Sequence, residues 1–263
     1  MILFTGTGAL SAEFAKYYSC KIISARLLDD IQLAEAIESC NIIIHNAATL
    51  SAPNIETFVE SNFLLTKRIL DIAYKINSQI KFINISSMSI LKTARSYLDT
   101  TEMSHYALSK FLAEIYCLNH PMKRLTNIRF STIFYKDPLR DGLSKLAHDA
   151  FNKKKVAIYN NGENCRDFIP INIAVKYLYN LVNQEDYPRK VNIASGVSHS
   201  FRHFVDLILL QYPRTEVDDR ILETNEILCN FSEDTIRTWG ELYSGIDMEF
   251  LHYLKTIHED TDL

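Results

Sequence analysis

The chain opens MILFTGTGALSAEFAKYY, and this stretch constrains the fold more than any other. Ile2-Leu3-Phe4 is a short apolar strand, Gly6 and Gly8 permit a tight turn, and Ala9 to Tyr17 carry a helical pattern. The first turn of such a helix points its free N–H groups back at the loop, and glycines there let a phosphate approach the backbone. Strand, glycine turn and helix in that order describe a dinucleotide pyrophosphate site. Its candidate cofactor-binding residues are Gly6, Thr7, Gly8, Ala9 and Leu10. The third small position falls on Ser11 or, in another register, on Ala12, where glycine is usual. An ordinary strand-to-helix turn is the plainer alternative.

The pattern then repeats. Lys21 to Ala25 reads as a second strand that ends Ser24-Ala25-Arg26-Leu27 without a carboxylate. An acidic residue there holds the ribose hydroxyls of NAD, whereas a guanidinium suits the extra phosphate of NADP. Ser24, Arg26 and Leu27 are therefore candidate cofactor contacts and NADP(H) is the expected cofactor, with NAD as the alternative. Arg26 can equally stack on an adenine or face solvent. Asp29 or Asp30 can cap a helix over Ile31–Ser39. The usual third strand is fused or missing. Asn41–His45 is a buried strand followed by Asn46-Ala47-Ala48, small enough for backbone to lie against a cofactor, and His45 reads as a packed strand-end residue. A long helix over Asn54–Asn77 leads to the strand KFINISSMSI. Strands alternating with helices predict an α/β fold of Rossmann type, a doubly wound parallel sheet.

After that strand comes SHYALSK, in which Tyr106 and Lys110 are four residues apart and share one helix face. With Ser87 at the strand end, three side chains can converge on a carbonyl. The phenol protonates the oxygen, the ammonium lowers the phenol pKa and holds the cofactor ribose, and the serine orients the carbonyl. Ser86 and Ser89 are fallback candidates. None of these groups can move a hydride, so a dinucleotide must supply it. Tyr-x-x-x-Lys alone is commonly a surface helix pair.

The helix from Tyr106 runs to about Asn119, before Pro121, and Asn127–Phe134 is a strand. A polar loop over Tyr135–Gly142 and a helix over Leu143–Asn152 follow. Val156–Tyr159 turns at Asn160-Asn161-Gly162. Ser200 caps a helix over Phe201–Gln211, and the acidic tail from Arg214 is partly helical. Residues 1–134, with 168–182 and 191–211 returning, are the expected dinucleotide-binding domain. Residues 135–167 and 212–263 are a smaller C-terminal substrate-binding lobe. Arg237 and Trp239 have no assigned place.

Composition excludes several classes. The formal net charge is −4 without a basic stripe, which argues against nucleic acid. Lys153-Lys154-Lys155 reads as a solvated loop or helix end. Five scattered cysteines (Cys20, Cys40, Cys117, Cys165, Cys229) form no C-x-x-C pair, so neither zinc nor a disulfide framework is suggested and no metal is expected. No basic, apolar leader and no run near 20 apolar residues is seen, so a soluble cytoplasmic protein without membrane attachment is expected.

Taken together, the motifs resemble the extended short-chain dehydrogenase/reductases, in particular the NAD-dependent epimerase/dehydratase group acting on nucleotide sugars. Thr5-Gly6-Thr7-Gly8 resembles the opening turn, one residue short. His45-Asn46-Ala47-Ala48 resembles the H-x-A-A strand end, and Asn62 sits at the central-helix asparagine. Ile85-Ser86-Ser87 and Tyr106–Lys110 resemble the serine strand and catalytic helix. Arg129–Tyr135 resembles the strand leading to the substrate lobe, with Thr132 and Tyr135 where Asn and Gly are usual. Gly162–Phe168 resembles G-x-x-x-R-D-[FY], and Val191–Gly196 the late strand. The resemblance implies Ser87, Tyr106 and Lys110 as catalytic, and Ser87, Thr132 and Arg166 as contacts to a nucleotide-diphosphate sugar. Arg166 can instead form an ion pair with Asp167. It also implies a homodimer through the helices over 54–77 and 104–119.

The residues beside Ser87 separate the possible reactions. Met88-Ser89 follows it, so the acidic pair of a 4,6-dehydratase is missing, and the Cys of the epimerase-reductases resembling GDP-fucose synthase is replaced by Ser89. What remains is hydride chemistry at one carbon. The expected function is an NADPH-dependent reductase of a nucleotide-activated 4-keto sugar. A 4-epimerase with tightly held NAD is the alternative, and a catalytically silent dinucleotide sensor or partner subunit is a third reading.

Overall fold

The computed structural model describes residues 1–91, 103–185, 188–221 and 243–257. Cys229, Arg237 and Trp239 lie outside them. The chain opens with β1 (Ile2–Phe4), α1 (Ala9–Tyr17), β2 (Lys21–Ile22), α2 (Asp30–Glu38) and β3 (Ile42–His45). Next, α3 (Ile55–Phe58) passes through a π-helical turn, Val59–Leu64, into α4 (Leu65–Ile76). Then come β4 (Lys81–Ser87), α5 (His105–Asn119), β5 (Leu125–Phe130), β6 (Thr132–Phe134), α6 (Gly142–Lys153) and β7 (Lys155–Tyr159). The remaining elements are β8 (Cys165–Pro170), α7 (Ile171–Asn183), β9 (Lys190–Ile193), β10 (Ser198–Ser200), α8 (Phe201–Gln211), β11 (Glu216–Arg220) and α9 (Ile246–Thr256).

Two compact units emerge. The first comprises the described residues within 1–91, 97–130 and 175–192. Its sheet has the order β2-β1-β3-β4-β5-β9, and the pairs from β2 through β5 run parallel. Leu3, Ile43, Ile44, Phe82 and Ile83 are wholly buried, as expected of strands covered on both faces. Leu33 and Ile37 of α2 and Ile69, Leu70 and Ala73 of α4 complete this core. The strand order reverses at β1, between β2 and β3, so the carboxyl ends of β1 and β3 flank the switch point where open α/β sheets bind ligands. Two strands, β2 and β1, stand where the usual half has three.

Three local readings are corrected. The second strand ends at Ile22, not Ala25. The chain still follows β1 through Ile23 N–H to the Phe4 carbonyl (2.9 Å), but fully buried Ala25 then tucks into the core and 25–27 form a 3-10 turn. The helix read over 54–77 is interrupted. In the π turn the Leu65 N–H reaches the Glu60 carbonyl, five residues back, while the Asn62 side chain is bonded elsewhere. The strand read over 127–134 is two strands in two units, divided at Ser131. Elsewhere local chemistry acts as expected. Asp29 caps α2 in a reciprocal capping box with Gln32, and the Ser200 hydroxyl accepts from the His203 N–H to cap α8.

The second unit comprises the described residues within 131–174 and 193–263. Residues 168–174 and 193–211, read from sequence as returning to the first unit, group with the second. The reason is pairing and packing: β10 lies antiparallel on β8, β8 is parallel to β6, and Phe204, Val205 and Ile208 of α8 enter this unit's core. β11 pairs in parallel with β7, and α9 contributes Phe250 and Leu254. Among the described residues no helix is long and apolar enough to cross a membrane.

Candidate active site

The turn after β1 is held by side chains from β3 onward. Asn46 accepts from the Gly6 N–H (2.9 Å) and donates to the Gly6 carbonyl (3.0 Å). A Cβ on Gly6 would fall 2.8 Å from the Ala47 Cα and 2.9 Å from its nitrogen, so only glycine fits between the two strand ends. Ser11, fully buried, directs its hydroxyl at the Gly6 and Gly8 carbonyls (2.7 and 2.8 Å). That resolves the register: Ser11, not Ala12, takes the third small position. Gly8 behaves differently from Gly6. It caps α1 without a side-chain bond, no acidic residue sits in the first turn, and a Cβ built on it meets nothing within 4 Å. Open space before a free helix N-terminus without nearby carboxylates fits the pyrophosphate of a dinucleotide. Thr7, Ala9 and Leu10 continue this turn, and Ala47 and Ala48 line up behind it on the chain leaving β3. Ser24, Arg26 and Leu27 lie at the end of β2, with Arg26 and Leu27 exposed.

His45 is not a base. Its Nδ1 accepts from the Thr5 hydroxyl (2.7 Å) and its Nε2 donates to Thr66 Oγ1 (2.8 Å), which itself donates to the Asn62 carbonyl (2.6 Å). This chain of donors is complete with the ring neutral. Complete burial, with the charges of Lys110 and Arg26 adding to it, lowers the His45 pKa to about 3.

β4 and α5 bring the hydroxyls and the amine together. Successive residues of a strand face opposite sides. Ser86 accordingly turns to Glu114 (2.8 Å), while Ser87 accepts from Ser89 (2.9 Å between hydroxyls) and lies near enough to the Tyr106 phenol to lower its pKa. Burial pushes the Tyr106 phenol above its ordinary value, and Ser87 offsets this only in part. Lys110, 2 % exposed, donates to the Ile85 carbonyl (2.6 Å), and burial lowers its pKa to about 8. The phenol pKa thus rises through desolvation, opposite to the lowering expected from Lys110.

Two supports stand behind this site: the bonds made by Asn62, a residue already singled out in the sequence, and the Glu114–Arg129 pair, which no motif contains. Asn62 accepts from the Thr49 N–H (2.6 Å) and donates to Thr49 O (3.0 Å) and Ser109 Oγ (2.9 Å), tying the loop after β3 to α5. Glu114, 1 % exposed, accepts a two-pronged bond from Arg129 of β5. Both depend on residues 13 to 47 positions apart, so their partners are not set by local sequence.

In the second unit, Arg166 of β8 lines a cavity of about 640 Å³ with Lys145, Lys153, Lys155 and Arg220. Asp149 and Asp218 are the carboxylates in the lining, which leaves three positive charges in excess. Lys145 and Lys153 pair with Asp149, and Arg220 with Asp218. Asp167 is buried and accepts from the Ser195 N–H (2.8 Å), the Ser195 hydroxyl (3.0 Å) and the Gly196 N–H (2.7 Å). Thr132, opposite Phe168 in the β6–β8 ladder, does not line the cavity. Lys153-Lys154-Lys155 ends α6, with Lys154 in the left-handed region, and its first and last lysines face the cavity. The spacing Lys145, Asp149, Lys153 was the available signal.

The model of the NAD dependent epimerase/dehydratase family matches residues 5–194, and the chain belongs to that enzyme family. Solved structures of the same fold span nearly the whole chain. A NAD dependent NDP-hexosamine 5,6-dehydratase, TunA, of tunicamycin biosynthesis is 19 % identical over 98 % of this chain and 97 % of its own, with a TM-score of 0.80. MoeE5, in complex with UDP-glucose and NAD, is 15 % identical over 99 % of each chain, with a TM-score of 0.80. The UDP-glucose 4-epimerase of Thermotoga maritima, with UDP-glucose, is 14 % identical over 99 % of each chain, with a TM-score of 0.82. No curated protein sequence matches.

Proposed function

We propose that this protein is an NADPH-dependent reductase of a nucleotide-activated 4-keto sugar. The observation that carries the reading is the placement of the Ser87 hydroxyl close enough to the Tyr106 phenol to act on its titration, one helical turn from the buried amine of Lys110. The dinucleotide, when bound, supplies the hydride to C4. The backbone of Gly6, Thr7, Gly8, Ala9 and Leu10 holds its pyrophosphate, and Asn46, Ala47 and Ala48 shape the floor beside it. Ser24 and Leu27 flank the ribose, and exposed Arg26, in place of a carboxylate, receives the 2′-phosphate. Ser87 orients the substrate carbonyl. Tyr106, kept protonated at neutral pH by its raised pKa, gives its proton to the oxygen as the alcohol forms. The Lys110 ammonium stabilises the phenolate left behind and bonds the ribose. In the second unit the cationic cavity takes the diphosphate, with Arg166 as its fork of donors. Thr132 is assigned to the substrate on the resemblance alone. A homodimer in the cytoplasm completes the reading.

NADPH oxidation with a panel of 4-keto UDP-, GDP- and dTDP-sugars tests this. Tyr106→Phe is expected to slow turnover by about 100-fold or more while the thermal shift with NADPH is retained. The second reading, a 4-epimerase with NAD, is supported by the fold shared with the Thermotoga maritima enzyme. Protein purified with bound NAD that interconverts sugar epimers without net redox change would replace the first reading with the second.

A further inference from the structure

The second unit also carries a histidine pair. His199 stands in β10 and His203 in the first turn of α8, with the capping Ser200 between them. Their rings are 4.8 Å apart between centroids. Asp247, in the first turn of α9, places Oδ1 2.8 Å from His203 Nε2. One donor atom from each of the three side chains lies within 4.8 Å of the other two. All three are half-buried, so the cluster is reachable from solvent.

The surroundings resemble a supported ligand set more than a solvated ion pair. Phe204 lies against both imidazoles, with centroids 5.7 Å from His199 and 5.2 Å from His203, and it stacks edge-on against Phe250 (5.1 Å). Both phenylalanines are fully buried. A rigid apolar wall on one side excludes water and fixes the rings, as the outer shell of metal sites does.

From this cluster the geometry points to a divalent transition-metal site, His199–His203–Asp247, that clamps α9 onto the start of α8. Two imidazoles and one carboxylate suit Zn²⁺, Co²⁺ or Ni²⁺, while Mg²⁺ and Ca²⁺ prefer all-oxygen sets. Metal–ligand bonds of about 2.0–2.2 Å place donors roughly 3 Å apart, so the His203–Asp247 pair is already close to the required spacing. Rotation of the His199 ring closes the rest. Three protein ligands leave a position for water. Because the ligands come from three elements, the unfolded chain lacks the site, and binding stabilises the native state.

The test uses the full chain, free of any affinity tag and stripped with EDTA. Titration with Co²⁺ is expected to saturate at one ion per chain with visible ligand-field bands, no thiolate charge-transfer band, and displacement by Zn²⁺. Zn²⁺ at a hundredfold excess over its Kd should raise the melting temperature by roughly 5 °C, and Mg²⁺ should not. His199→Gln, His203→Ala and Asp247→Asn should each abolish the bands. Should a variant fail to fold, the wild-type protein still decides: diamagnetic Zn²⁺ should shift the imidazole NMR signals of two histidines only, leaving those of exposed His148 and His252 unmoved. Binding weaker than about 100 µM, bands that persist in the folded His199→Gln/His203→Ala variant, a thiolate band, or an equal response to Mg²⁺ would overturn the assignment.

Discussion

Removing the charge of Glu114 should destabilise the first unit more than any other single polar change near the site. The carboxylate is 1 % exposed at its side chain and Arg129 is 5 % exposed. Glu114 accepts from Arg129 Nε at 2.9 Å, from a second guanidinium nitrogen, and from Ser86 Oγ at 2.8 Å. Glu114→Gln leaves a buried guanidinium without a counter-charge and turns an amide NH₂ toward donors. Breaking one partner of a buried pair costs about 3–5 kcal/mol, against a typical total stability of about 5–15 kcal/mol. Replacing both charges with apolar groups, Glu114→Leu with Arg129→Met, should cost less than either single change, because no charge is stranded. Urea titrations followed by circular dichroism give the cycle directly. Glu114 also raises the pKa of Lys110, one turn earlier on α5, so its loss should move the Lys110 titration further down. A Glu114→Gln variant within about 1 kcal/mol of the parent, or a double variant whose cost equals the sum of the singles, would refute the coupled-pair argument.

Other expectations follow from the same geometry. Gly6→Ala should cost about 1–3 kcal/mol in urea titration because its Cβ meets Ala47 backbone, whereas Gly8→Ala should fold normally yet lose dinucleotide affinity by calorimetry. His45 has a folded pKa of about 3 against about 6.5 unfolded, so the unfolded state binds the extra proton between them. Stability should be full above about pH 6.5 and fall by roughly 5 kcal/mol as pH drops to 3, with the slope flattened in His45→Asn. Arg166→Gln should weaken nucleotide-sugar binding at least about 10-fold in calorimetry and leave NADPH binding unchanged.

Much of this protein was determined by short stretches of its sequence. A strand, glycine turn and helix, a capping aspartate before α2, and a tyrosine and lysine four apart are decided by neighbours along the chain, so residue order alone reveals them. By that logic Ser87 was the catalytic candidate and Ser86 a fallback. Only the opposite faces of β4 assigned one to Glu114 and the other to Tyr106. The early end of β2, the π turn at Asn62, the cationic cavity beside Arg166 and the meeting of His199, His203 and Asp247 were decided by the tertiary structure. Each depends on at least one partner distant along the chain, and hydrogen bonding, desolvation and charge act through space at a few ångströms, regardless of distance along the chain.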